Sequence, residues 1–291
     1  GLLRREGYET FTTILYALRL PRILACLLTG IGLSSAGILL QSVTENPMAS
    51  PNIIGVNSGA GLGLVLALLL FPSGAVWLPA AAFAGALAAA FLLLGLAGKK
   101  DLSGLTVILA GIACNALLNA GISLLCQLEN DLIPSYAAFS AGSFAGITAD
   151  RLPLPAAGIL ISFAVSLFLS RRVDLLCLGD SCAGALGVRV RGLRAVCVVL
   201  AAAAAACVVS FAGLIGFVGL IVPHIGRKIV GARTGPLLLF SALAGGCLVL
   251  AADVAGRVLF SPSELPAGIL LAFLGAPFFL VLLLRKRGGL L

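Results

Sequence analysis

Apolar runs of the length needed to cross a hydrocarbon core, about 20 residues, follow one another along the chain with only short polar breaks between them. The pattern predicts spans at residues 22–42, 53–71, 76–98, 104–128, 152–170, 194–212, 214–232, 237–257 and 266–285. The run at 214–232 is the weakest as a separate span, because only glycines divide it from its predecessor. Turn-formers mark the breaks: Asn46-Pro47, Ser50-Pro51, Pro72-Ser73-Gly74, Pro134-Ser135, Pro153, Gly235-Pro236 and Ser261-Pro262. No soluble domain or long linker interrupts the series. The predicted fold is therefore all-α, a polytopic membrane helical bundle of about nine spans forming one domain over 1–291. Gly55, Gly59 and Gly63 recur every four residues at the start of the second span, which predicts a close helix crossing.

Composition agrees with the pattern. The chain is 60% hydrophobic and 10% charged, with a mean hydropathy of +1.17, and a soluble domain cannot hide that much apolar side chain. The net charge of +8 has a topological explanation. Lys99 and Lys100, then Arg171, Arg172, Arg189, Arg191 and Arg194, then Arg227, Lys228 and Arg233, and finally Arg285, Lys286 and Arg287 all fall on one side of alternating crossings. By the positive-inside rule that side is cytoplasmic. The outer loops at 129–151 and 258–265 hold Glu129, Asp131, Asp150 and Glu264, with Arg151 the one base. Arg4, Arg5, Arg19 and Arg22 break the bias from the outer side, and residues that break a topological bias usually have another task. No signal peptide is visible after Gly1, and an additional upstream helix is expected. No basic stretch is interleaved with aromatics, which argues against nucleic acid. The eight cysteines (26, 114, 126, 177, 182, 197, 207 and 247) form no CxxC pair and read as small buried hydrophobes.

Candidate chemistry is sparse. His224 is the lone histidine, so a His-based metal site lacks partners. The GLAGKK segment at 95–100 lacks the first glycine of a Walker A loop, with Leu93 in its place. No catalytic constellation is present, so the chain is not expected to be an enzyme or to carry a cofactor. Asp253 is the sole acid well inside a span, and Arg257 lies four residues on, a spacing that permits an ion pair on one helix face. A proton- or sodium-coupled carrier would want more buried acids, which points to an external energy source.

The inner segment 173–193, VDLLCLGDSCAGALGVRVRGL, is too short and polar to cross. Asp180 is placed to cap a short helix and Gly187 to end it, with Leu175, Leu176, Leu178, Ala183, Leu186 and Val188 supplying an apolar pattern. Such a helix either inserts into a groove on a soluble partner or lies on the membrane surface.

This segment resembles the LGDxxAxxLGV coupling loop of the iron–siderophore and vitamin B12 ABC permease family. Further resemblance lies in residues 19–63, in GLIGFVGLIVPHIGR at 213–227, in LAADVAGRVL at 250–259 and in ELPAGILLAFLGAPFFLVLLLRK at 264–286. Together they run in order from Arg19 to the end of the chain. Family members have ten helices, one more than the spans counted here, and many carry a Trp that 135–147 lacks.

The resemblance implies a permease of the cell membrane that works as a homodimer or heterodimer amid membrane lipid. Two cytoplasmic ATPases would bind ATP and Mg, and an extracytoplasmic binding protein would deliver an iron–siderophore-type chelate. Haem, cobalamin or oxyanion cargo remains an alternative, and an ion-coupled secondary carrier a more distant one. It further implies that Leu178, Gly179, Asp180, Ala183, Leu186 and Gly187 couple to the ATPase, and that Asn46, Pro47, Gly55, Gly59 and Pro223 shape the path and its inner gate. Arg19, Arg22 and Arg257 would form a basic patch for acidic side chains of the binding protein, unless they simply anchor to lipid headgroups. His224 reads as an interfacial helix-end residue or a contact near the ATPase side.

Overall fold

The structure is a computed structural model and describes residues 14–71, 77–97 and 103–287. Arg4, Arg5, Lys99, Lys100 and the expected turn at Pro72-Ser73-Gly74 lie outside the described residues, as do the side chains of Arg285, Lys286 and Arg287. The described residues form eleven α-helices and no strand. They are α1 (Leu20–Val43, entered through a π-helical turn Ile14–Arg19), α2 (Val56–Leu70), α3 (Leu78–Ala97), α4 (Gly104–Leu128), α5 (Leu132–Ala141), α6 (Pro153–Leu176), α7 (Asp180–Ala185), α8 (Val190–Ala212), α9 (Val218–Val230), α10 (Thr234–Leu259) and α11 (Ala267–Arg287).

Six of these are long and apolar enough to span: the continuous stretch Ile14–Val43, then α3, α4, α6, α8 and α10. Burial separates the centre from the rim. The most apolar window of the α1 stretch is 72% buried and that of α8 is 61%, against 22% for α4 and α6. Thus α1 and α8 form the middle of the bundle, and α4 and α6 turn their leucines outward. With no hydrophobic drive between helices in lipid, close packing must come from small residues. A Cβ added at Gly30 of α1 would collide with the backbone of Gly245 and Gly246 of α10. That crossing makes the most extensive helix contact of the bundle.

Three expectations change. The second span shortens to α2, because residues 51–55 form turns and Gly55 adopts a left-handed conformation (φ 87°) just before the helix. Gly55 therefore takes no part in the predicted crossing. Gly59 and Gly63 do make it: an added Cβ on either would meet Gly85 or Ala81 of α3. The expected span at 214–232 is instead the 13-residue α9, preceded by an irregular stretch in which Gly213 (φ 70°) and Phe217 (φ 66°) turn the chain. Finally, the expected outer loop at 129–151 contains α5 and a segment folded into the protein. Phe144 is fully buried, Ser143 N–H donates to Ala212 O (2.9 Å), and Gly268 N–H donates to Gly142 O (2.9 Å). Non-helical backbone at such a place is tolerated when protein covers it and its polar groups are paired.

Candidate functional site: two clefts at opposite ends of the central helix

The 24 residues of α1 separate its two ends by about 36 Å at 1.5 Å per residue, and a cleft opens at each end. The inner cleft, about 640 Å³, is lined by Gln41 and Ser42 in the last turn of α1 and by Glu45 and Pro47 just beyond it. Asp174, Leu175, Cys177 and Leu178 line it from the end of α6, and Arg227 and Arg233 from beside α9 and α10. It therefore gathers the segments that carry the arginines of the predicted cytoplasmic side, in agreement with the charge bias.

The short helix α7 sits beside this cleft, between α6 and α8. Its start differs from the expectation. Gly179 (φ 90°) occupies the N-cap position, and Asp180 is the first helical residue with no cap bond. The Asp180 carboxylate points instead to Arg194, whose Nη1 donates to Oδ2 at 2.8 Å. The helix ends as predicted at Gly187 (φ 81°). There Val188 N–H donates to Ala183 O and Gly187 N–H to Gly184 O, both at 3.0 Å, the paired bonds of a Schellman closure. Among the motif leucines, Leu178 and Leu186 are 60% and 61% exposed. Ala183 is fully buried and belongs to the core. Its methyl packs the loop onto the bundle, so Ala183 holds α7 in place and the two leucines face outward. Asp174 adds a second anchor by accepting from the backbone N–H (2.8 Å) and hydroxyl (2.5 Å) of Thr234 at the start of α10.

The predicted gate residues are not gathered at one place. Asn46 and Pro47 belong to the turn after α1. Asn46 Oδ1 accepts from Met48 N–H at 2.9 Å, and Pro47 is exposed to the cleft. Gly59 is buried in the α2–α3 crossing, and Gly55 lies 3.6 Å, at an added Cβ, from Cys114. Pro223 is buried within α9, and His224 makes an edge contact with Phe278 at 5.9 Å between ring centroids. The sequence reading did not single out Asn115. It clamps the 51–55 turns by donating to Asn52 O (2.7 Å) and Ile53 O (3.0 Å), while its Oδ1 accepts from Ser58 Oγ at 2.6 Å. An amide side chain at mid-helix in a mostly apolar run was the available signal, one shared with Asn119.

The outer cleft, about 560 Å³, brings Arg19, Arg22 and Arg257 together with Glu264, Ile147 and Thr148. Its electrostatic centre is Asp253, 2% exposed. Arg22 donates to it through Nε (3.1 Å to Oδ1, 2.9 Å to Oδ2) and Nη2 (2.9 Å to Oδ1), and to Glu264 through Nη1 at 2.9 Å. The expected partner Arg257 also approaches, its Nε 3.3 Å from Oδ2 but without hydrogen-bond geometry. Two arginines thus share one buried carboxylate, and Arg22 breaks the charge bias because it has this structural task. Arg19 is exposed at the rim. Among the described residues, no group of three or more His, Cys, Asp or Glu side chains is arranged to hold a metal.

Six long apolar helices packed into one bundle define a multi-pass membrane protein. The FecCD transport family model matches residues 2–285, and the chain belongs to that family, whose members are ABC transporter permease subunits and are not themselves enzymes. The chain is 40% identical to the Fe(3+)-citrate import system permease protein YfmE of Bacillus subtilis, over 94% of this chain and 83% of that one. It is 38% identical to the iron(3+)-hydroxamate import system permease protein FhuG of the same organism, over 97% and 87%. A solved structure of a metal-chelate type ABC transporter in an inward-facing conformation superposes with a TM-score of 0.87 at 35% identity, covering 94% of this chain and 88% of that one. The protein is a multi-pass plasma-membrane protein.

Proposed function

We propose that the chain is the permease subunit of an ATP-driven importer of ferric chelates. In this reading it pairs with a second permease copy or homologue, two cytoplasmic ABC ATPases and an extracytoplasmic binding protein. The observation that carries the proposal is α7. Two exposed leucines flank a buried alanine on a helix tied to the bundle through the Asp180–Arg194 bond, a shape suited to seating in a groove on a soluble partner. The names of the relatives supply the cargo class. Transport then needs no chemistry from this chain: ATPase closure would move α7, and the bundle would alternate access between its two clefts.

Within that reading, Asn46 and Pro47 form the inner gate beside the cleft. Arg19 offers the exposed charge for acidic side chains of the binding protein, with Arg22 and Arg257 behind it. Rim charges of this kind act on association rate and salt dependence more than on final affinity.

Replacing both Leu178 and Leu186 with Arg tests the coupling assignment. The variant should keep its unfolding temperature, because both side chains are already solvated, yet fail to co-purify with the ATPase and fail to transport. Full complex formation and uptake by the variant would remove α7 from the docking surface.

A further inference from the structure

We propose that Arg194 is a positioning residue that transmits motion of the coupling helix to the inner gate. The inference rests on the coupling role given above to α7. Arg194 stands in the second turn of α8, one of the two central helices, with its side chain 4% exposed. Its Nη1 donates to Asp180 Oδ2 of α7, and its Nη2 donates to Glu45 Oε1 of the turn after α1, both at 2.8 Å. A planar guanidinium holds two carboxylates in fixed directions, which an ammonium does not. Both acids are half-exposed, at 51% for Asp180 and 48% for Glu45. The buried arginine is the common anchor, and the acids belong to the two segments that have to move together.

Glu45 carries the second observation. Its backbone is left-handed (φ 51°), a conformation that residues with side chains adopt at a cost and that glycine adopts freely. Ordinary turn chemistry would favour Gly or Asn there. Strained positions of this kind persist where the surroundings over-determine them, and they cluster at functional sites. Here the strained conformation delivers the carboxylate to Arg194. The next residues are the gate turn: Asn46 N–H donates to Gln41 O at 3.1 Å and Met48 N–H to Asn46 Oδ1. Asp180, Arg194 and Glu45 are therefore links in series between α7 and Asn46-Pro47. A displacement of α7 pulls on the gate through two charge-assisted bonds.

The test uses the complete transporter reconstituted in proteoliposomes with its ATPase and binding protein. It measures ATP hydrolysed per chelate imported and ATPase co-purification, using Glu45→Gly, Asp180→Asn and the double variant. Glycine accepts the left-handed turn without strain, so Glu45→Gly should retain the unfolding temperature and the bound ATPase. Its ATP cost per chelate should rise about five-fold or more, the lower end of usual inter-site coupling. Links in series also predict that the double variant is no worse than either single one. Arg194→Lys, which keeps the charge but loses the fork, should fall between wild type and Glu45→Gly.

A wild-type ratio in both single variants would overturn the linkage, as would independent, additive losses in the double variant. Should Glu45→Gly fold poorly, the surface variant Asp180→Asn carries the test alone. A wild-type chain that assembled with no ATPase would instead overturn the coupling reading on which the linkage rests.

Discussion

Asp253→Asn isolates the outer charge network. The native carboxylate is 2% exposed and takes three hydrogen bonds from Arg22, with Arg257 3.3 Å away. The amide keeps the shape but removes the charge that both guanidinium groups share, and its NH2 presents donors to donors. Removing one partner of a fully buried ion pair costs about 3–5 kcal/mol. Arg22 is 16% exposed, Arg257 is 34% exposed, and Glu264 still holds Arg22 Nη1. Solvent and that remaining acid lower the expected loss to about 2–3 kcal/mol. Glu264→Gln is the internal control. Glu264 is 49% exposed, so its ion pair with the same arginine should be worth about 0.5 kcal/mol. Unfolding in detergent, monitored by intrinsic fluorescence and by calorimetry, should rank the variants with a gap of about 2 kcal/mol between them. Adding Arg22→Gln to Asp253→Asn should recover part of the loss, because an unpaired buried charge is removed with it. Equal costs for the two single variants, or no cost for Asp253→Asn, would refute the assignment of Asp253 as the buried centre of the network.

Arg19→Glu should weaken capture of the binding protein most at low ionic strength, while leaving the unfolding temperature and basal ATPase rate unchanged; salt-independent capture would make Arg19 a lipid anchor. Reversing Arg22 as well would place a second acid against Asp253, so the single variant reads docking without disturbing the fold. Gly59→Leu should lower the yield of folded protein by forcing α2 from α3, since an added Cβ already meets Gly85 O and Ala89. Asn46→Ala should leave folding nearly intact and slow uptake, and unaltered uptake would reduce Asn46 to a turn-forming role.

The six long spans were legible because an apolar run of that length has few other solutions in water or lipid. The Asp253–Arg257 approach and the Gly187 stop were legible for the same reason, as both are set by spacing within one turn of helix. What escaped was non-local. Arg22 and Asp253 lie 231 residues apart, and Arg194 and Glu45 lie 149 apart, so periodicity could not pair them. Arg194 read as one more cytoplasmic charge. The folded segment around Phe144 read as a loop because its backbone is irregular, although GSFAGI at 142–147 is apolar enough to be buried. Gly55 fell into a spacing pattern with Gly59 and Gly63, and only its left-handed φ separates a turn from a helix crossing. Ala183 was read as a coupling residue, yet its full burial shows that it packs the loop onto the bundle.

The central claim is tested most directly by uptake of radioiron-labelled ferric chelate into proteoliposomes holding this chain with its ATPase and binding protein. Accumulation should require ATP on the side of α7 and binding protein on the side of Arg19, and should persist when ion gradients are collapsed. Uptake that follows a proton or sodium gradient and ignores ATP would contradict the account.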